Sequence, residues 1–180
     1  MLNCNVGKWT IELRNEPCHT FGSADNARTY DSEYLAVAAR DVTSRHVVTC
    51  RAGETRLSSV ILGAGRGPSS VHAHSMVVQA GRCFVAVGSC IASLALPGLE
   101  LLWLAEVDDA TCFGVYEVRD GLISHGELEI ARLSLDGAVL WHSSGADIFS
   151  EGIEVRADVV RATDFNGRTY EFALDTGACR

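Results

Sequence analysis

A strand-and-turn pattern recurs at nearly constant spacing through the second half of this chain. Residues 91–103 read Ile-Ala-Ser-Leu-Ala-Leu-Pro-Gly-Leu-Glu-Leu-Leu-Trp, residues 130–141 read Ile-Ala-Arg-Leu-Ser-Leu-Asp-Gly-Ala-Val-Leu-Trp, and residues 170–178 read Tyr-Glu-Phe-Ala-Leu-Asp-Thr-Gly-Ala. Leu96, Leu135 and Leu174 each precede a tight turn, and each step is 39 residues. The turn glycines Gly98, Gly137 and Gly177 are 39 and 40 apart, and Trp103 and Trp141 are 38 apart. A unit of that length, built of short strands, cannot bury its apolar face alone. It stacks on its neighbours instead, in radial or linear β architectures.

The remainder of the chain agrees. Short apolar stretches run from residue 75 onward, joined by Ala80-Gly81, Asp120-Gly121, Asp136-Gly137 and Asn166-Gly167, which supply the positive φ of hairpin turns. Apolar and polar residues alternate at 128–135 and 170–174, the pattern of half-buried antiparallel strands. Residues 46–52 and 57–62 flank Gly53 as a hairpin, and 33–40 alternate as a strand. The expected fold is all-β, with antiparallel repeats of about 40 residues forming a small propeller-like ring or a curved β-sandwich. Residues 1–180 form one domain on this reading, with an N-terminal strand at 8–13 and a polar arm within 1–32, then blade-like repeats over 33–180. The first strand is expected to lie beside the last, at 169–174, because an open edge invites aggregation.

At 47% apolar residues, the chain can bury a core without disulfides or structural metal. It has no apolar run of 18 residues and no secretory leader at its start, so the expectation is a cytoplasmic protein without a membrane span. Seven cysteines in no metal-binding spacing read as reduced, structural thiols. A net charge of −8 argues against nucleic-acid binding and suits a basic protein partner.

Two sets of residues carry a resemblance. The turns Leu-Asp-Gly-Ala-Val-Leu-Trp (135–141) and Leu-Asp-Thr-Gly-Ala (174–178) resemble the inter-strand turns of quinoprotein-type propeller blades. Ser124-His-Gly-Glu-Leu-Glu-Ile-Ala-Arg-Leu, with Asp109-Ala-Thr-Cys-Phe-Gly and Ser144-Gly-Ala-Asp-Ile-Phe, resembles a family of uncharacterised bacterial proteins over roughly residues 33–177. The first implies a fold built of blades; four units fit in this length, where the usual six to eight would not. The second implies no activity.

His72-Ala-His74 is the sharpest candidate for chemistry, because residues two apart on a strand point the same way and could share a metal ion. Gln79 stands where cupin-type sites place a glutamate, so the motif fails where the metal needs charge. Backbone-bonded loop histidines are the plainer account. If 125–129 is extended, His125, Glu127 and Glu129 share one face, as an acid/base set or as a solvated outer surface. Asp164-Phe-Asn166-Gly167 reads as a type I′ turn, and Asp108 and Asp109 as turn caps. Trp103 and Trp141 read as buried packing residues.

No nucleophile elbow, phosphate loop or complete catalytic set is present. The expected function is a non-catalytic protein-binding module without metal or cofactor, with an acidic surface of the immunity type as its specific form. The alternatives are a metal-dependent enzyme on His72, His74 and His125, and a structural subunit of an assembly.

Overall fold

The computed structural model describes all 180 residues, as four sheets that follow one another along the chain. The first contains β1 (Leu2–Val6), β2 (Trp9–Asn15), β3 (Ser32–Leu35), β4 (Ser44–Ala52) and β5 (Thr55–Ala64), in the order β1-β2-β4-β5-β3. The second is β6 (Met76–Gln79), β7 (Arg82–Val87), β8 (Cys90–Ala95) and β9 (Leu101–Glu106). The third is β10 (Cys112–Val118), β11 (Gly121–Gly126), β12 (Glu129–Leu133) and β13 (Val139–Ser144). The fourth holds β14 (Ile153–Val155), β15 (Val159–Thr163) and β16 (Thr169–Ala173). Apart from the parallel pair β3 and β5, every pairing is antiparallel. One 3-10 turn, Ala39–Asp41, is the sole helical element.

Three apolar cores join the sheets face to face. Ile11, Leu13, Val48 and Leu62 meet Val85, Ala92 and Leu94 between the first and second sheets. Phe84 and Ile91 meet Val115, Leu122 and Leu133 between the second and third. Ile123, Ile130 and Trp141 meet Phe149, Val160 and Phe172 between the third and fourth. Alternation makes this stacking possible, because a central sheet with apolar residues on both faces can serve two cores. No core joins the fourth sheet to the first, so the stack is open.

The repeat read from the sequence is physical. Ser93 pairs with Trp103 and Arg132 with Trp141, and in both hairpins the register slips at the next pair. That bulge turns each indole toward the following sheet. Nε1 of Trp103 donates to the Leu135 carbonyl at 2.9 Å, and Nε1 of Trp141 to the Leu174 carbonyl at 2.8 Å. Arg82 and Arg132 donate to the same two carbonyls and pair with Asp136 and Asp175. Trp141 is buried and Trp103 is mostly buried, packed against the core between the second and third sheets, as expected of packing residues.

Three expectations need correction. The N-terminal strand pairs with β1 and β4 inside the first sheet, not beside the last strand, because Ile11 and Leu13 complete the first core. The strand at 33–40 stops at Leu35, and the chain then turns through Ala39–Asp41. At Asn166-Gly167 only the glycine has positive φ, so the turn is not type I′; the Asp164 carboxylate accepts the Asn166 and Arg168 amides instead.

The polar arm is a strap. Residues 16–31 lie across the outer face of the first sheet, with the Phe21 ring against Gly63 and under the Arg45 guanidinium. Glu16 accepts from Tyr30, Arg14 and Arg28, and the Tyr30 hydroxyl foremost holds its carboxyl below the usual range. Val47 and Ile61 are thereby sealed on the face opposite the core. At the other end, the fourth sheet turns Glu154, Arg161, Thr163 and Glu171 outward. Polar or covered end faces are what an open stack needs to stay in water.

Candidate functional site

The strands that open the second, third and fourth sheets bring their leading residues together. His72 and His74 lie just before β6, Phe113 and Tyr116 lie on β10, and Gly152 and Ile153 lie at the start of β14. With His125 of β11 and Ser150 they line a cavity of about 440 Å³. The three histidines singled out in the sequence therefore do converge, although 51 residues separate His74 from His125.

Two of the three are tied to the backbone through Nε2. Nε2 of His72 lies 2.6 Å from the Phe113 carbonyl, and Nε2 of His125 lies 2.8 Å from the Phe149 carbonyl. A carbonyl only accepts, so both Nε2 atoms carry the proton and both Nδ1 atoms are acceptors. Nδ1 of His72 accepts the His74 amide at 3.2 Å, whereas Nδ1 of His125 has no partner in the protein. Burial foremost, with His72 and His74 nearby, pushes the His125 imidazole below its ordinary pKa and keeps it neutral. No set of three or more His, Cys, Asp or Glu side chains is arranged to hold a metal ion.

Aromatic faces complete the lining. The His74 ring stacks on Tyr116 at 4.7 Å and 25°, and Phe113 meets His125 edge-on at 5.4 Å. Burial raises the Tyr116 phenol to about 12, so it stays protonated at neutral pH.

Glu127 and Glu129 are not part of this cavity. The extended segment expected at 125–129 is instead the reversal between β11 and β12, where His125 pairs with Ile130. Buried Asp108 holds that reversal: Oδ2 accepts the Leu128 and Glu129 amides at 2.8 and 2.9 Å, and Oδ1 accepts the Ala110 amide at 2.6 Å. Its role as a turn cap was legible in the sequence; its long-range partners were not. A Cβ on Gly126 would lie within 2.1 Å of the same carboxylate, so only glycine fits there.

Glu129 opens instead onto a second concavity, a cleft of about 370 Å³ between the second and third sheets. Glu106, Asp109, Glu129 and His142 rim it, above Asp108 and Ala131. His142 Nδ1 lies 3.0 Å from Glu129, and Arg66 bridges Glu106 at 2.5 Å and Asp109 at 3.2 Å. Exposed Val139 of β13 lines the cleft as well. Sequence reading missed it, because Glu129 and His142 come from strands far along the chain from Glu106 and Asp109, and the acids form no run.

No protein-family model matches the chain, and no curated protein matches it. Solved structures do. A computationally designed protein, Ika8, aligns with 98% of this chain and 59% of its own length at 9% identity and a TM-score of 0.53. A second designed protein, Ika4, aligns with 62% of this chain and 75% of its own length at 10% identity and a TM-score of 0.52. BamB from Moraxella catarrhalis aligns with 74% of this chain and 42% of its own length, at 17% identity and a TM-score of 0.50. These likenesses show a propeller-like fold. The chain spans about three fifths of Ika8 and two fifths of BamB, in keeping with an open stack.

Proposed function

We propose that this protein is a non-catalytic binding module that uses the acidic cleft between its second and third sheets to hold a basic protein partner. The cleft is the observation that carries the reading. It gathers Glu106, Asp109 and Glu129 on rigid strands and strand ends, beside exposed Val139. Carboxylates around an apolar rim suit a lysine- or arginine-bearing loop, with charge steering the encounter and apolar contact slowing release. Arg66, half-exposed, marks where a partner's cation would enter. The immunity-type form of this reading has a toxin as the basic partner.

The propeller-like fold favours such a role without specifying it, since stacked sheets hold their loops on a stiff frame. Neither concavity pairs a nucleophile with an oriented base, and two of the three clustered imidazoles serve to tie down loops. Capture from a cell extract tests the proposal, comparing the native protein with a Glu106→Lys, Asp109→Lys, Glu129→Lys variant at rising salt. A basic protein bound only by the native form, and released by salt, is the expected result. Capture of the same partners by both forms would refute it.

A further inference from the structure

The cavity lined by His72, His74, His125, Phe113 and Tyr116 differs from the acidic cleft in chemistry. None of its lining residues is Asp, Glu, Lys or Arg, although the chain carries a net charge of −8. What the cavity offers is ring faces, the protonated Tyr116 phenol, the unpaired ring nitrogens of His74 and one acceptor of fixed tautomer, Nδ1 of His125. That acceptor belongs to a side chain only 8% exposed and has no partner in the protein. Nδ1 keeps contact with the solvent of the cavity, so its lone pair is free to exchange a water for a ligand's N–H.

We infer that this cavity binds an uncharged bicyclic heteroaromatic ring of the indole or purine type, its ring against the open face of His74, which is itself stacked on Tyr116, and its N–H donated to Nδ1 of His125. A volume of about 440 Å³ accommodates a bicyclic ring with a short substituent. Stacking supplies contact area without charge, and the fixed acceptor favours rings that carry an N–H over those that do not. The tautomer is set by the Phe149 carbonyl, so the lone pair is in place before the ligand arrives. The site is independent of the acidic cleft, and the ring can come from a free small molecule or from a tryptophan on a partner protein.

Ligand-detected NMR tests this with indole, adenosine, N-acetyltryptophanamide and 1-methylindole, which lacks the N–H. Indole is expected to bind about tenfold more tightly than 1-methylindole, the difference one buried hydrogen bond makes. His74 is exposed, so His74→Ala leaves the fold intact and is expected to weaken binding several-fold by removing a stacking face. Titration with indole should also move the Nδ1 nitrogen resonance of His125 in the native protein, a readout that needs no variant. Tighter binding of N-acetyltryptophanamide than of indole or adenosine identifies a partner's side chain as the source; the reverse identifies a free ring. Failure of all four probes at millimolar concentration, equal binding of indole and 1-methylindole, or an unmoved His125 resonance would overturn the inference. Loss of the cleft's partner in the charge-reversal variant would not affect it.

Discussion

A Cβ placed on Gly177 would lie 2.6 Å from Cδ2 of Trp141, and Gly137 stands in the same relation to Trp103 at 2.7 Å. Each indole lies over the turn of the next sheet, with its N–H on that turn's leucine carbonyl. Both glycines also have positive φ, at +70° and +87°. The 39-residue repeat thus holds a contact that fastens each sheet to its successor.

Trp141→Ala is expected to cost about 3–5 kcal/mol and Trp103→Ala less, because Trp103 is less completely buried. Gly177→Ala adds a side chain against the indole on a left-handed backbone and should cost more than about 1 kcal/mol. Trp141→Phe keeps most of the packing and leaves Arg132 on the Leu174 carbonyl, so about 1 kcal/mol is expected. Urea unfolding of the four variants measures all of these.

Asp108→Ala strips three backbone amides of their acceptor in a buried place and is expected to cost about 3 kcal/mol or more. Asp108→Asn retains one carbonyl oxygen and should lose less. Hydrogen exchange at Leu128 and Glu129 reads the same effect locally, with both amides expected to lose protection in the alanine variant.

Acid should destabilise the protein before its carboxylates protonate. Burial foremost lowers the pKa of His46, whose Nδ1 faces the Ala86 carbonyl, and of His125. The unfolded chain, with an imidazole pKa of about 6.5, then binds protons that the folded chain refuses. Stability from these groups is complete above that value and is lost as pH falls through the lowered folded values. Unfolding midpoints between pH 7.5 and 5 are expected to fall in the native protein and to fall less steeply in His46→Gln and His125→Gln. Glu16, held low by Tyr30 and Arg14, contributes in a separate window, below about pH 4.5.

Deleting residues 1–15 removes β1 and β2, and with them the fully buried Ile11 and Leu13. The loss of two such side chains alone is worth about 4 kcal/mol or more. A thermal melt is expected to shift strongly downward or lose cooperativity. An unchanged melt would mean that the first sheet does not need its N-terminal hairpin.

Alternation, turn glycines and Trp spacing are local properties of a chain, so the strands, most hairpin turns and the 39-residue step were legible before any fold was known. The sequence also marked His72, His74 and His125 as the histidines to watch. Only the tertiary structure decided that they meet, because the approach of β6, β10 and β14 depends on how sheets stack. Glu127 and Glu129 fell away from them for a related reason: an alternating segment looks the same whether it runs straight or reverses around a carboxylate 20 residues earlier. The strap at 16–31 and the placing of the first strand beside β4 were likewise hidden. A polar stretch does not announce the apolar face it will cover, and a strand's edge carries no address for its partner until burial of Ile11 and Leu13 selects one.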